Sequence, residues 1–254
     1  MNVNELETFT DLVRMARRGV AFAGAGISTE SGIPDFRSPG GLWSKHTPVM
    51  YDEFMRNRSA RVQSWKLSAA MHRECSAARP NDGHLAIAEL QRRGHLAAVV
   101  TQNVDGLHQD AGSQPVIELH GTNRMAACQH CWTTWPYTEV LARWEKGEEA
   151  PVCEVCGGPV KSKTISFGQS MPEEEMRAAG DISMQADLYI AIGSSLVVEP
   201  AASFPRHAKR AGASLVILNN QPTPLDDIAD LVIREPIGAT MRALLQRLGY
   251  AMKI

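Results

Sequence analysis

The sequence predicts an α/β fold in which a parallel sheet, covered by helices on both faces, is broken by two insertions. Short apolar runs of strand length alternate with segments of helical periodicity, and the first run ends in Gly24-Ala25-Gly26. Two Cys-x-x-Cys pairs mark one of the insertions as a unit with its own stabilising chemistry.

The elements follow in chain order. Residues 4–18 set Leu6, Phe9, Leu12, Val13 and Ala16 at helical spacing with charges between them, and Gly19 stops the pattern. Val20-Ala21-Phe22-Ala23 reads as a buried strand feeding a tight turn into a helix. Further strands are expected at Leu96 to Val100, Leu188 to Ile192, Leu215 to Leu218 and Leu231 to Ile233, with helical patterns at 84–92, 200–211 and 239–248. This alternation predicts a parallel sheet covered by helices on both faces. Residues 40–80 depart from it with two polar helical segments, Tyr51 to Asn57 and Ser59 to Cys75, and residues 124–165 depart from it with the cysteines. The expected organisation is a large domain over 1–39, 81–123 and 166–254, a helical insertion over 40–80 and a small domain over 124–165.

Composition narrows the function. A chain of 254 residues can bury one sizeable core and still carry a small insert, and 44% hydrophobic with 21% charged residues excludes a disordered chain. The net charge of −2 is unpatterned, the longest charge run being Glu173-Glu174-Glu175, which argues against a general nucleic-acid or membrane-surface binder. No run approaches the roughly 20 apolar residues of a membrane span, and the polar start Met1-Asn2-Val3-Asn4-Glu5 does not read as a signal peptide. A cytoplasmic protein is expected.

Of the five cysteines, Cys128 and Cys131 form one Cys-x-x-Cys pair and Cys153 and Cys156 another, 21 residues apart. Two tight turns that each aim two thiolates at one point make a tetrahedral zinc site, and four thiolates leave no open position for water. The metal is therefore expected to be structural, held in a zinc ribbon. A redox role needs only one pair. His130 is expected to be exposed, Cys75 to be a small buried apolar residue on a helix, and Trp132, Trp135 and Trp144 to pack the small domain, with one of the three open to serve as a surface contact instead. Between residues 124 and 165, basic Arg124, Arg143, Lys146, Lys161 and Lys163 balance acidic Glu139, Glu145, Glu148, Glu149 and Glu154, which disfavours a nucleic-acid-binding ribbon.

Gly24-Ala25-Gly26, placed between strand and helix, lets backbone approach a pyrophosphate and presents helix N-terminal N–H groups to it, although Thr29 stands where the general fingerprint has its third glycine. The continuation Ser31-Gly32-Ile33-Pro34-Asp35-Phe36-Arg37-Ser38 puts a carboxylate, an aromatic ring and a guanidinium in one loop. Thr101-Gln102-Asn103-Val104-Asp105 follows a strand's carboxyl end, where ligands bind in open α/β sheets. Asn103 and Asp105 are also residue types that cap a following helical turn. His120 ends another apolar run, and spacing alone does not single it out among eight histidines.

Together with Gly193-Ser194-Ser195-Leu196-Val197-Val198, Phe167-Gly168 and Leu218-Asn219, these segments resemble the sirtuin family over residues 20 to 238. The resemblance implies a Rossmann-type large domain, a small zinc domain and substrate threaded through the cleft between them, with NAD-dependent removal of acetyl groups from protein lysines, giving nicotinamide, free lysine and 2′-O-acyl-ADP-ribose. It implies that Gly24, Ala25, Gly26, Gly193, Ser194, Ser195 and Asn219 hold the adenosine and phosphate end of NAD, with Thr29, Asp35 and Ile237 among the cofactor contacts. Arg37 would lie near the phosphates and ribose, and Gln102 and Asn103 at the nicotinamide ribose. Asp105 and the Ile33 backbone would hold the carboxamide, and Phe36 would cover the reacting carbon. His120 matches the family's base, and Asn103 joins it in the catalytic set. An acetylated peptide or protein substrate would add as a strand between Phe167 to Gln169 and Ser195 to Val198, so that Phe167, Gly168, Leu196, Val197 and Val198 line it.

The residues suit that chemistry. A weakly nucleophilic amide oxygen attacks a sugar carbon only when water is excluded and alignment is fixed, and a neutral imidazole can take a ribose hydroxyl proton near neutral pH. Two departures stand out. Gln169 occupies a position where many relatives carry Glu, and no Tyr-x-x-Arg occurs in residues 40–80, where the nearest positions are Lys66 and Ala69. Neutral acyl groups, acetyl first, are the expected substrates. Transfer of ADP-ribose to a protein side chain is the competing activity.

Overall fold

The computed structural model describes residues 3–35 and 47–251. Phe36, Arg37 and the start of the expected helical insertion, residues 40–46, lie outside them.

In chain order the strands are β1 (Gly19–Ala23), β2 (Leu96–Thr101), β3 (Val116–Glu118), β4 (Gly121–Cys128), β5 (Thr134–Pro136), β6 (Val160–Thr164), β7 (Leu188–Ile192), β8 (Ser214–Leu218) and β9 (Leu231–Ile233). The helices are α1 (Val3–Met15), α2 (Tyr51–Arg56), α3 (Arg58–Ala77), α4 (Asp82–Arg92), α5 (Leu107–Asp110), α6 (Tyr137–Glu145), α7 (Glu173–Gln185), α8 (Ser203–Arg210) and α9 (Ile237–Leu248).

The large sheet runs β3-β2-β1-β7-β8-β9 with every pairing parallel. Counted along the chain within this sheet, the order is third, second, first, fourth, fifth, sixth. The winding direction therefore reverses between β1 and β7, and a reversal opens a crevice at the strands' carboxyl ends. Both faces of the sheet are covered, so its strands read as continuous apolar runs. Ala21 and Ala23 of β1 turn toward Phe9 and Val13 of α1, Ile87 and Leu90 of α4, and Met241 and Leu244 of α9. Val20 and Phe22 turn toward Ala179 of α7 and Phe204 and Ala208 of α8.

Helix α1 ends three residues before the periodicity does. The backbone N–H groups of Arg17 and Arg18 donate to the Asp187 carboxylate, at 2.7 and 3.1 Å, instead of continuing the helix. Helix α8 begins at Ser203, after a turn at 200–202. Helix α7 escapes the periodicity, because its buried positions are the small residues Ala179 and Ser183.

The second sheet, β5-β4-β6, is antiparallel. Its core joins Ala126, Cys128, Tyr137, Val140, Cys153 and Val160 to Trp65 and Ala69 of α3. Trp65 stacks on Tyr137 at 5.4 Å between ring centroids and donates its indole N–H to the Val160 carbonyl at 2.8 Å. Segment and module thus share one core that no local pattern announces.

Candidate active site

The two turns at the switch point touch. Gly24 donates its backbone N–H to the Ile192 carbonyl at 3.0 Å, and Gly26 to the Gly193 carbonyl at 2.8 Å. A β-carbon on Gly24 would stand 2.7 Å from the Gly193 oxygen, and one on Gly26 2.8 Å from the Gly193 Cα. Gly193 itself holds φ at +62°. The glycines that the sequence offered to a phosphate are thus also required by contact between the two turns. Beyond Gly24 the chain enters a 3-10 helix, Ala25–Ser31.

Behind these turns runs a chain of hydrogen bonds. The buried Asn103 amide donates to the Gly24 carbonyl and to the Ser28 hydroxyl, both at 3.2 Å, and Ser28 donates to the Asp105 carboxylate at 2.7 Å. The other Asp105 oxygen accepts the Leu107 N–H at 2.9 Å, so this residue ties down the start of α5 as well as bordering the site. Burial raises its pKa, partly offset by these two donors. Gln102 donates to the Ser194 hydroxyl at 2.9 Å, bridging the β2 and β7 turns.

His120 follows β3, and its Nδ1 lies 3.0 Å from the Gln102 carbonyl. A carbonyl only accepts, so Nδ1 carries the proton and Nε2 keeps its lone pair. Burial lowers the ring's pKa, which favours the neutral base.

These groups line one cleft of about 780 Å³, within the range of small-molecule and cofactor sites. It collects Gly24, Ala25, Gly26, Thr29, Asp35, Gln102, Asn103, His120, Gly193, Ser194, Ser195, Asn219 and Ile237 on its walls, with Phe167, Gly168 and Val198. Ile33 and Asp105 border a small adjoining recess. Phe36 and Arg37 are outside the described residues. Thr29 is exposed and donates to the Gly26 carbonyl at 2.8 Å.

Leu196 and Val197 are not on the cleft wall. Leu196 turns its side chain into the core with φ at +54°, a strained conformation for a non-glycine residue, and Val197 is 47% exposed. Across the cleft, the Gln169 side chain accepts the Ser166 N–H at 3.1 Å while Ser166 accepts the Gln169 N–H at 3.0 Å, closing the turn that carries Phe167 and Gly168. The Gln169 amide is spent partly on its own loop.

The sulfurs of Cys128, Cys131, Cys153 and Cys156 all lie within 4.8 Å of one another, the closest pairs at 3.5 and 3.6 Å. Zinc–sulfur bonds of about 2.3 Å in a tetrahedron put sulfurs about 3.8 Å apart, so the donor set fits zinc without rearrangement. His130 is exposed and Cys75 buried, as expected. Trp135 and Trp144 pack on the module core, but Trp132 does not: it is 62% exposed. Its φ of +61° turns the side chain away at the end of the cysteine turn. Lys161, counted above with the ribbon's surface charges, is buried in β6.

Two residues of the site were not singled out from sequence. Ser28 sits inside the glycine motif but is a relay that only the fold connects to Asp105. Asn81 caps α4 through Gly83 and, with its amide, donates to the Ile27 carbonyl at 2.7 Å and Ser31 at 2.9 Å. The capping role was legible in Asn81-Asp82-Gly83; the reach across 50 residues was not.

A glycine-tight crevice at the switch point of a doubly wound sheet, beside a module closed by four thiols, defines a class: a dinucleotide-binding protein with a structural zinc site. The model of the Sir2 family matches residues 24–200. The NAD-dependent protein deacetylase 1 of Bradyrhizobium diazoefficiens is 53% identical over 238 residues, 93% of each chain. That of Thermodesulfovibrio yellowstonii, an NAD-dependent protein deacetylase, is 46% identical over 235 residues, 92% of each chain. Among solved structures, Sir2 with a p53 peptide and NAD+ matches with a TM-score of 0.88 at 36% identity, covering 96% of this chain and 98% of its own. A Sir2 variant with a deacetylated p53 peptide and 3′-O-acetyl ADP ribose matches at 0.91 and 36%, covering 97% and 100%. The chain belongs to the Sir2 family.

Proposed function

We infer that this protein is an NAD-dependent protein-lysine deacetylase that acts on acetylated proteins or peptides and transfers the acyl group to ADP-ribose. The observation that carries the reading is His120: a partly buried imidazole on the cleft wall whose Nδ1 proton is committed to the Gln102 carbonyl, leaving Nε2 as the ring's acceptor beside the glycine turns. NAD supplies the labile bond between nicotinamide and ribose and the sugar that accepts the acyl group.

The chain's own residues do the rest. The turns at Gly24 to Gly26 and Gly193 to Ser195 hold the phosphate end, Asn103 and Gln102 orient the nicotinamide ribose, and Asp105 with Ile33 fixes the carboxamide. His120 takes a proton from the ribose hydroxyl. Phe167, Gly168 and Val198 receive the acyl-lysine segment and keep water out. The four cysteines hold zinc away from the reaction and fix the module against which the cleft closes. No described helix is long and apolar enough to cross a membrane. Four of the five cysteines serve as metal ligands rather than as disulfide partners, the usage of a reducing compartment, and we place the protein in the cytoplasm.

An acetyl-lysine peptide with NAD tests the reading. The wild type should release nicotinamide and deacetylated peptide with an acylated ADP-ribose detected by mass spectrometry. His120→Ala should lower turnover by about 10²- to 10⁴-fold, the range for general-base loss, with zinc content unchanged. An ADP-ribose adduct on protein, without peptide deacetylation, would decide for the transferase instead.

A further inference from the structure

Just past His120 the chain crosses into the small sheet, and the first residues there make contacts that a ribbon strand does not require. Strand β4 pairs with β6 at Gly121 and again from Ala126, and the ladder is irregular between them. The released residues turn back onto the large domain. The Asn123 N–H donates to the Val104 carbonyl at 3.0 Å, and Arg124 Nη2 donates to the Asp105 carbonyl at 3.3 Å. Arg124 Nη1 also donates to Asp110 Oδ1 at 2.9 Å while Nη2 reaches the other carboxylate oxygen, a two-pronged pair at the far end of α5. The guanidinium therefore spans the segment 105–110 from end to end.

Gly106 shows how close this contact is. It holds φ at +76°, and a β-carbon there would overlap the Arg124 guanidinium. For stability alone the arrangement is worth little, because the Arg124 and Asp110 side chains are both half-exposed. What it fixes is Asp105. The two carboxylate oxygens and the carbonyl of that residue are each held by a different segment, through Ser28, Leu107 and Arg124. Charge acts alongside position: burial raises the Asp105 pKa, and the nearby Arg124 charge lowers it. The other groups around the turn supply no cation. Asp110 on α5, Glu118 on β3 and Glu74 on α3 are acids, and burial pushes the Cys75 thiol up to about 12, so it stays uncharged. His72 on α3, near Arg124, has its pKa lowered by burial and is neutral at neutral pH.

We propose that Arg124 is a positioning residue for the cofactor, holding the Asp105 turn in place and supplying the positive charge that Asp105 faces, so that a fixed anion grips the carboxamide of NAD and of free nicotinamide. The inference rests on the deacetylase reading and deepens it, because a residue of the small sheet then sets how tightly the large domain holds the nicotinamide end. An ionised acceptor binds an amide N–H more strongly than a neutral one. Loss of the cation leaves Asp105 among like charges, which favours its protonated form and weakens that grip.

Steady-state kinetics of Arg124→Met, zinc-loaded and assayed with an acetyl-lysine peptide, test this. KM for NAD and the nicotinamide concentration that halves the rate should both rise by about three- to tenfold, the worth of one hydrogen bond. KM for the peptide, zinc content and melting temperature should stay near their wild-type values. The acid limb of kcat/KM for NAD should move to higher pH, since losing the cation raises the Asp105 pKa. Arg124→Lys, which keeps the charge without the fork, should return the limb to its wild-type position and recover part of the KM. Should Arg124→Met fail to fold, Asp110→Asn, which loosens the fork and leaves the guanidinium, should raise the same two constants together. Unchanged KM for NAD and unchanged nicotinamide inhibition, or a rise in KM for the peptide alone, overturns the proposal, as does a lower melting temperature with both constants unmoved. A wild type that cleaves no acetyl-peptide with NAD overturns the deacetylase reading together with it, whereas an active wild type whose variants keep both constants overturns this inference alone.

Discussion

The parallel sheet and the cysteine module solve the problem of stability in different ways. The sheet buries apolar side chains on both faces, with α1, α4 and α9 on one side and α7 and α8 on the other. The module buries one small cluster that includes two of its own thiols and borrows Trp65 and Ala69 from α3. A three-stranded sheet of this size cannot bury enough surface to order its own chain, so metal binding and docking make up the difference. The comparison teaches that the cleft has one self-supporting wall and one conditional wall. The cofactor turns belong to the first, whereas Lys161, Thr164 and Asn123 belong to the second.

The largest test of that contrast is to remove the metal site. Cys153→Ser, or chelation, should unfold the module while the parallel sheet keeps its helices, because structural zinc contributes on the order of 10 kcal/mol to such small units. Limited proteolysis should cut within residues 128–160, zinc content should fall to background, and far-UV circular dichroism should lose only a minor part of its signal. Cooperative loss of the whole spectrum would show that the two regions are one folding unit.

A smaller effect probes the docking. Trp65→Ala removes the side chain that joins α3 to the module and deletes its bond to the Val160 carbonyl. Thermal or urea unfolding should register a loss of about 3–5 kcal/mol, typical of a buried aromatic truncated to alanine, with zinc still bound. If stability holds instead, the module stands without α3.

The large domain has its own weak point, at acid pH. His84 is fully buried beside His108, ring centroids 4.9 Å apart, and burial pushes its pKa from 6.5 down to about 4. In the unfolded chain the same imidazole takes up a proton near pH 6.5. The stabilising contribution is therefore complete above pH 6.5 and is lost as pH falls through 4, a total of about 3 kcal/mol. Burial and the neighbouring His84 charge lower the His108 pKa in the same direction. Melting temperature measured from pH 7 to 4 should decline, and His84→Gln should flatten the decline.

The smallest effect separates chemistry from stability. Burial lowers the His120 pKa, so the acid limb of kcat/KM should lie below pH 6.5, with activity flat from there to neutrality. A limb at or above 6.5 would mean a base more exposed than the one described.

Much of this was readable along the chain. Strand runs such as Leu188 to Ile192 are continuous because the sheet is covered on both sides, and that two-sided burial leaves a local imprint. The cysteine spacing reports its own geometry, since two residues between thiols set the turn. Helix α7 left no such imprint, because small residues fill its buried face, and Trp132 looked like core because residue type cannot show which way a positive φ aims it.

The sequence by itself determined the sheet's strands, the metal ligands and the residue types of the cofactor turns, because each rests on neighbours a few positions apart. Tertiary structure alone decided that Gly26 must pack against Gly193, that Ser28 links Asn103 to Asp105, and that His120 is held in one tautomer by Gln102. Those are contacts between segments distant in the chain, and their energies depend on the burial and direction that only the folded arrangement sets.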